Sequence, residues 1–389
     1  MCVLEPAQHP IPTPSMTATL SIAAASRGLA SAPRCHITSA RGMLRPLAQG
    51  MGRPTHPAPR LRPHAMAGGA GDEPAGEDKG ESAVIDVEVQ AEGTGGAAGW
   101  TYTGPMLPAE GAVKPVRFGV AEGKLLDVVK ASGPAVFRVP SLFAAGWAPS
   151  IVADDPARYS LARGNGQMLE ETSDVATFNR PVLPLEVYEF DGCPFCRKVR
   201  EALCMLDLDA MYYPCPKNGP NFRPQVEAEG GKAQFPYLKD PNTGKAMYES
   251  DDIISYLYEE YGPGAASIPL HLNAGPLTIM AISAGRALSG PKSGSGAYVP
   301  SSLPKEPLVL WGLEGSPFVQ IVREQLNSLE LPHYYRSCPR GSPKRQELFE
   351  ATGTFQIPYL EDPNTGTAMF ESDDIKNYLM RTYSAELTV

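Results

Sequence analysis

DGCPFCRKVRE, residues 191–201, returns as EGSPFVQIVRE at residues 314–324. The copying extends well beyond these runs. YYPCP (212–216), FPYLKDPNTG (235–244) and YESDDIISYL (248–257) reappear in order as RSCP (336–339), IPYLEDPNTG (357–366) and FESDDIKNYL (370–379). One scaffold is therefore written twice, over residues 185–261 and 308–383. Cys193 aligns with Ser316 and Cys196 with Val319, so only the first copy keeps a Cys-x-x-Cys centre.

Each copy carries its own local signals. Leu185 to Phe190 reads as a short strand, and Gly192 permits a tight turn. Pro194 suits the first position of a helix, where its missing N–H costs nothing. Phe195, Val199, Leu203 and Leu206 then recur at helical spacing, as do Phe318, Val322, Leu326 and Leu329 in the second copy. Arg197, Lys198, Arg200 and Glu201 occupy the other face. A strand near Met211 to Pro214 and a polar helix around Phe222 to Glu229 follow. Tyr237 to Lys239 and Lys245 to Tyr248 form a hairpin across the turn-forming Asp240-Pro-Asn-Thr-Gly244. Ser250 is positioned to cap a last helix, with Asp251 and Asp252 in its dipole-favoured first turn. The order is β-α-β-α-β-β-α, an α/β unit present in tandem.

Outside the repeats, residues 1–66 hold seven Arg, no Lys and one acid, and they are rich in Ala, Ser and Pro. A basic leader of this kind without an apolar core suggests an organellar transit peptide, for the chloroplast or alternatively the mitochondrion. Its loss leaves 27 basic against 42 acidic residues, a net charge of −15, which gives no electrostatic footprint for nucleic acid. Two histidines remain, His271 and His333, which nearly excludes histidine-based chemistry; His333 reads as a surface residue. The five remaining cysteines, Cys193, Cys196, Cys204, Cys215 and Cys338, are too few for a secreted disulfide framework. Cys204 reads as a core residue. Cys215 and Cys338 are paired structural thiols or an accessory redox or metal position.

Residues 67–95 read as a disordered acidic linker. Residues 96–180 read as an accessory module or a wrap on the first repeat, with a helix at Lys124 to Ala131. Val136 to Val139 and Tyr159 to Ala162 are candidate strands or packing segments. The connection 262–306 is long enough to hold a helix, at Pro276 to Leu288. No apolar run reaches the roughly 20 residues a membrane span needs, although peripheral contact through 277–288 stays open.

A Cys-x-x-Cys at a strand-to-helix turn reads as a thioredoxin-like redox motif, against the alternatives of ordinary semi-buried thiols or two metal ligands. Cys193 would face unpaired N–H groups at a helix start, with Arg197 and Lys198 one turn away, and both features favour the thiolate. Cys196 is placed to resolve a mixed disulfide.

Three features, Cys193-Pro-Phe-Cys196, Phe235-Pro236 and Glu249-Ser250, resemble the glutaredoxin branch of the thioredoxin fold and the N-terminal domains of glutathione transferases. The first repeat also resembles the glutaredoxin-like domain of prostaglandin E synthase type 2, and the tandem resembles a plastid group of plants and algae. The resemblance implies a cis peptide bond at Pro236 and glutathione as cofactor. Phe235, Pro236, Glu249 and Ser250 would hold it in the first repeat; Ser316, Ile357, Pro358, Glu371 and Ser372 are their counterparts. Ser316-Pro-Phe-Val resembles the turn of serine-type transferases, whose helical C-terminal domain has no equivalent length here. The implied activity is glutathione-linked thiol–disulfide exchange, with glutathione and disulfide-bearing proteins as partners. Glutathione-dependent transfer or isomerisation is one alternative; a non-enzymatic glutathione, iron–sulfur or protein-binding module is another.

Overall fold

The computed structural model describes residues 100–385, apart from 111–114, 116–119, 121, 136–137 and 289–296. The expected transit peptide and acidic linker lie outside the described residues. The first helix, α1 (Leu125–Ser132), runs into 3₁₀ turns at Gly133–Ala135 and Val139–Leu142. A small antiparallel sheet follows, made of β1 (Ala148–Ala153), β2 (Arg163–Gly164) and β3 (Gln167–Thr172) in the order β1-β3-β2. Of the two readings of Tyr159 to Ala162, the packing segment holds: it lies outside any strand, tied through Ser160 to the Ala162 and Leu169 carbonyls.

The first repeat comprises β4 (Leu185–Glu189), α2 (Pro194–Met205), β5 (Ala210–Pro214), α3 (Phe222–Gly230), β6 (Tyr237–Asp240), β7 (Lys245–Met247) and α4 (Ser250–Tyr261). After α5 (Leu270–Asn273) and α6 (Pro276–Leu288), the second repeat supplies β8 (Leu308–Gly312), α7 (Pro317–Ser328) and β9 (His333–Ser337). It ends with α8 (Lys344–Thr352), β10 (Tyr359–Asp362), β11 (Thr367–Phe370) and α9 (Ser372–Tyr383).

The two repeats share one eight-stranded sheet, ordered β11-β10-β8-β9-β5-β4-β6-β7. The junction is antiparallel: Ala210 pairs with Tyr335, Met211 with Tyr334 and Tyr212 with His333. Since Met211 and Tyr334 are sequence counterparts, a local two-fold passes between them. The pairing also removes what would be an exposed strand edge on each repeat. One face of the sheet is covered by the apolar stripes of α2, α4, α7 and α9, through Val199, Leu203, Ile253, Leu257, Val322, Leu326, Ile375 and Leu379. The other face packs Tyr188, Tyr213, Phe222, Val226 and Leu348, and Trp100, Tyr102 and Met106 close over it.

His333, expected at the surface, is 3% exposed. Its ring stacks on Tyr212 at 5.6 Å, and Nδ1 donates to the Leu331 carbonyl at 3.0 Å. Pairing at the junction strand is what buries it. The charged face of α2 is buried as well. Arg197, Lys198, Arg200 and Glu201 are all under 5% exposed, because the second repeat and the segment before the first one cover that face.

Residues 100–180 wrap both repeats rather than the first alone. Ala144 N–H donates to the Arg340 carbonyl and Ala145 N–H to that of Met205. Tyr298 and Val299 make the matching bonds to the carbonyls of Lys217 and Ser328, which are the counterparts of Arg340 and Met205. The same strap thus precedes each repeat. A helix precedes each strap and packs across the two-fold: α6 on α2 of the first repeat, α1 on α7 of the second. The small β1–β3 sheet is an insertion, since the chain returns to the strap where Asp174 N–H meets the Ala145 carbonyl. The repeating unit is therefore longer than the copied sequence.

Candidate functional site

The strand–turn–helix at the end of β4 places Cys193 at the N-cap of α2. Its Sγ accepts the Cys196 N–H at 3.3 Å and lies 3.9 Å from the Phe235 carbonyl oxygen. The Phe235–Pro236 bond is cis, and so is Ile357–Pro358 in the second repeat. All five described cysteines are free thiols.

The two thiols of the centre are held unequally. The Cys196 thiol, hydrogen-bonded to Cys193, is the strongest influence lowering the Cys193 pKa; burial opposes it, and the N–H groups of Cys196 and Phe195 add to the lowering. Burial first, and then the neighbouring Cys193, push Cys196 well above the ordinary thiol range. One sulfur is thus favoured as the anion and the other as the proton-bearing partner. Arg197 and Lys198, expected to supply this asymmetry, are engaged elsewhere. Arg197 pairs with Glu201 at 3.0 Å and Glu314 at 3.6 Å, and Lys198 pairs with Asp251. The backbone and the partner thiol do the work assigned to them.

Glu249 occupies the left-handed region, at φ 64, and Glu371 matches it at φ 70. Each is the cap residue of its helix, without a side-chain cap bond, so Ser250 is a first-turn residue and not the cap expected, and Ser372 is placed likewise. Both serines are buried. The exposed Glu249 carboxylate accepts from Gln234 Nε2 at 2.6 Å. In the second repeat, Ser316 caps α7 with its Oγ accepting from Val319 N–H at 3.4 Å, and Val319 leaves the turn without a second thiol. Pro358 is buried and Ile357 half-buried beside it.

Sequence reasoning missed the groups that surround Cys193 from outside its repeat. The thiol is 4% exposed and Cys196 1%. A chamber of about 10 Å³ lies against Cys193, lined by Asp191, Gly192, Pro194 and Arg197, by Ile282 and Arg286 of α6, and by Gln320 of α7. Behind it lies a buried cluster of four cations and four anions. Arg200 Nε bonds Glu314 at 2.9 Å, and Arg323 bonds Glu314 at 3.0 Å and Glu189 at 2.8 Å. Arg138 grips Glu201, and Asp191 accepts from Gln320 at 2.7 Å. Arg200 and Arg323 are counterparts, as are Asp191 and Glu314. The two copies keep these residues in the quoted runs even where the cysteines are lost, a signal that could have marked the cluster.

The remaining thiols are buried. Burial pushes Cys204 and Cys338 up to about 12 and Cys215 well above the ordinary range. Cys215 and Cys338 Sγ each donate at 3.4 Å to the carbonyl two residues earlier, in Tyr213 and Arg336. A separate cavity of about 410 Å³ lies at the seam, walled by Trp100, Tyr102 and Tyr334. Its floor carboxylate Asp209 is already held by Arg336 and Lys344, and it does not reach the cysteines. No helix among the described residues is long and apolar enough to cross a membrane.

Two stretches of the chain, 187–265 and 310–386, match the glutathione S-transferase N-terminal domain family. The chain therefore carries two tandem thioredoxin-like domains of this type. Among solved structures it is similar to a glutathione transferase of Bombyx mori, at 27% identity over 23% of this chain and 42% of that one, with a TM-score of 0.21. The same protein in complex with GTT matches at 25% identity over 22% and 39%, with a TM-score of 0.18. The match thus spans less than half the length of either structure. No curated protein matches the chain.

Proposed function

We propose that the protein is a glutathione-linked thiol–disulfide oxidoreductase of the plastid, with its reactive centre in the first repeat. The observation that carries this is the pairing of a Cys193 sulfur favoured as thiolate with a proton-holding Cys196, at a helix start beside the cis Phe235–Pro236 bond. The Cys193 thiolate attacks one sulfur of a disulfide. That sulfur bonds to Cys193, the old S–S bond breaks, and the other sulfur leaves as a thiolate. Cys196, once deprotonated, attacks the Cys193 sulfur, releases the bound group as a second thiolate, and closes a Cys193–Cys196 disulfide. Glutathione returns that pair to the dithiol. Phe235 offers backbone polar groups beside the sulfur, and Glu249 with Ser250 at the α4 start offers groups for the rest of the tripeptide. The second repeat, with Ser316 for the nucleophile, serves as a binding or structural copy.

The test is reduction of a small glutathione mixed disulfide by the full chain. Cys193→Ser should abolish turnover, and Ser316→Ala should leave it within about twofold. Wild-type turnover in Cys193→Ser would defeat the reading. The domain match favours a second reading, glutathione-dependent transfer to an electrophile. That reading requires conjugation that survives Cys196→Ser.

A further inference from the structure

The groups suited to glutathione are present, but the space beside the sulfur is not. About 10 Å³ is room for roughly one water, whereas glutathione or a protein disulfide needs an open groove. The roof over this chamber comes from α6. Ile282 and Thr278 are each 2% exposed on its inner face, while Leu277 and Met280 on its outer face are 67% and 65% exposed. α6 rests on α2 and on the 3₁₀ turn at Gly133–Ala135, so it bridges two segments far apart in sequence. The chamber is polar as well as small. Asp191 Oδ1 lies 3.7 Å from Arg200 and Arg323, while the buried Gln320 Oε1 has no hydrogen-bond donor within the protein, so the wall residues include an acceptor for a small hydroxylic molecule.

We propose that α6 is a displaceable roof that makes Cys193 selective by size: seated, it admits hydrogen peroxide and excludes thiols and disulfides as large as glutathione. This rests on the dithiol reading above and adds that peroxide reaches Cys193 with the roof seated, whereas the disulfide and glutathione steps of that reading proceed only with α6 displaced. The Cys193 thiolate attacks one peroxide oxygen; the O–O bond breaks and hydroxide leaves, taking a proton from solvent. Cys196 sulfur then attacks the Cys193 sulfenic acid, forming the S–S bond and breaking the S–O bond, and the hydroxyl leaves with the Cys196 proton as water. Two thiols are oxidised by two electrons and one peroxide becomes two waters. Glutathione reduces the disulfide after α6 has moved. A roof held by few buried side chains is the kind of element that opens locally without global unfolding.

The experiment compares reagents of different size on the reduced full chain, with modification mapped to Cys193 by mass spectrometry. Hydrogen peroxide is expected to give the Cys193–Cys196 disulfide, while dithiodipyridine and oxidised glutathione modify Cys193 at least about a hundredfold more slowly than they modify the urea-unfolded chain. Ile282→Ala should speed both bulky reagents by at least about tenfold and change the peroxide rate by less than about twofold. Ile282→Asp should do the same more strongly, with circular dichroism showing that each variant keeps the wild-type fold. The proposal is overturned if native wild-type protein reacts with the bulky reagents as fast as unfolded chain. It is equally overturned if neither folded variant accelerates them. The labelling arm needs no disulfide, so it tests the roof even if the dithiol reading fails; that reading fails separately if no oxidant joins Cys193 to Cys196 in wild type or either variant.

Discussion

Replacing Arg323 with Met should weaken both repeats at once. The Arg323 side chain is 3% exposed, and its guanidinium donates to Glu314 at 3.0 Å and Glu189 at 2.8 Å. The guanidinium carbon also lies 5.2 Å and 5.3 Å from the ring centroids of Tyr212 and Tyr335. Methionine keeps most of the packing and removes the charge. That leaves three cations against four anions in the dark of the interface. Breaking a buried ion pair by deleting one partner costs about 3–5 kcal/mol, because the other charge stays buried. That is a large share of a total stability of about 5–15 kcal/mol. With a urea slope near about 3 kcal/mol per molar for a chain of this size, the midpoint should fall by about 1 to 1.7 M. A single transition should persist, since the sheet and the cluster are common to both repeats.

Acidity supplies a second check. Burial alone would raise the Glu314 pKa, but Arg200, Arg323 and Arg197 together hold it below the ordinary range. A carboxylate with a depressed folded pKa stabilises fully above its unfolded value near about 4.3 and loses that contribution as pH falls through the folded pKa. The gap between wild type and Arg323→Met should therefore narrow below about pH 4. A midpoint shift under about 0.3 M at neutral pH, the scale of an exposed ion pair, would refute the reasoning.

Three further outcomes are expected. Cys196→Ala removes the strongest influence lowering the Cys193 pKa, so the thiolate absorbance of Cys193 in the ultraviolet should titrate at higher pH than in wild type; an unchanged midpoint would contradict the geometry. Burial presses the His333 pKa down to about 3, so its neutral form stabilises above the unfolded value near about 6.5 and that share is lost progressively as pH falls toward the folded value. His333→Gln should flatten melting temperature against pH across that window. Gly341 sits at φ +87, and a Cβ there would meet the Thr172 carbonyl oxygen at 2.8 Å, so Gly341→Ala should lower stability by about 1–3 kcal/mol in urea unfolding. Ala at the open Gly353 at the other end of α8, φ +75 with nothing within 4 Å, should cost less.

Within each repeat, local signals were enough for most of the fold. Pro194 opens α2 and Pro317 opens α7, as the sequence implies. The helix at Pro276 to Leu288 has the bounds expected of it, and the helix at Lys124 to Ala131 differs by one residue at each end. Where the reading missed, long-range contacts decided. Ser250 lost its expected cap role to a left-handed Glu249, a backbone state that the residue type disfavours. Burial of Arg197, Lys198, Arg200 and Glu201 was not foreseen, because helical periodicity reports which side is apolar, not whether another domain covers the polar side. The strands of the small β1–β3 sheet were missed because β1 is almost wholly exposed, β2 is two residues long, and the half-buried β3 does not alternate cleanly.

That one α/β scaffold occurs twice, that a dithiol survives in only one copy, and where the turn presenting it begins can all be read from residue order alone. These are matters of local spacing and of comparing one stretch with another. The edge-to-edge joining of the copies by β5 and β9, the crossing of the helix before each copy to the other, and the closing of α6 over Cys193 come from long-range packing. Strand-edge pairing and cross-packing follow from which surfaces remain unsatisfied once each repeat has folded. No residue pattern within either repeat records that remainder. The dithiol read from the sequence as a centre at a strand-to-helix turn is, in the folded chain, a covered one.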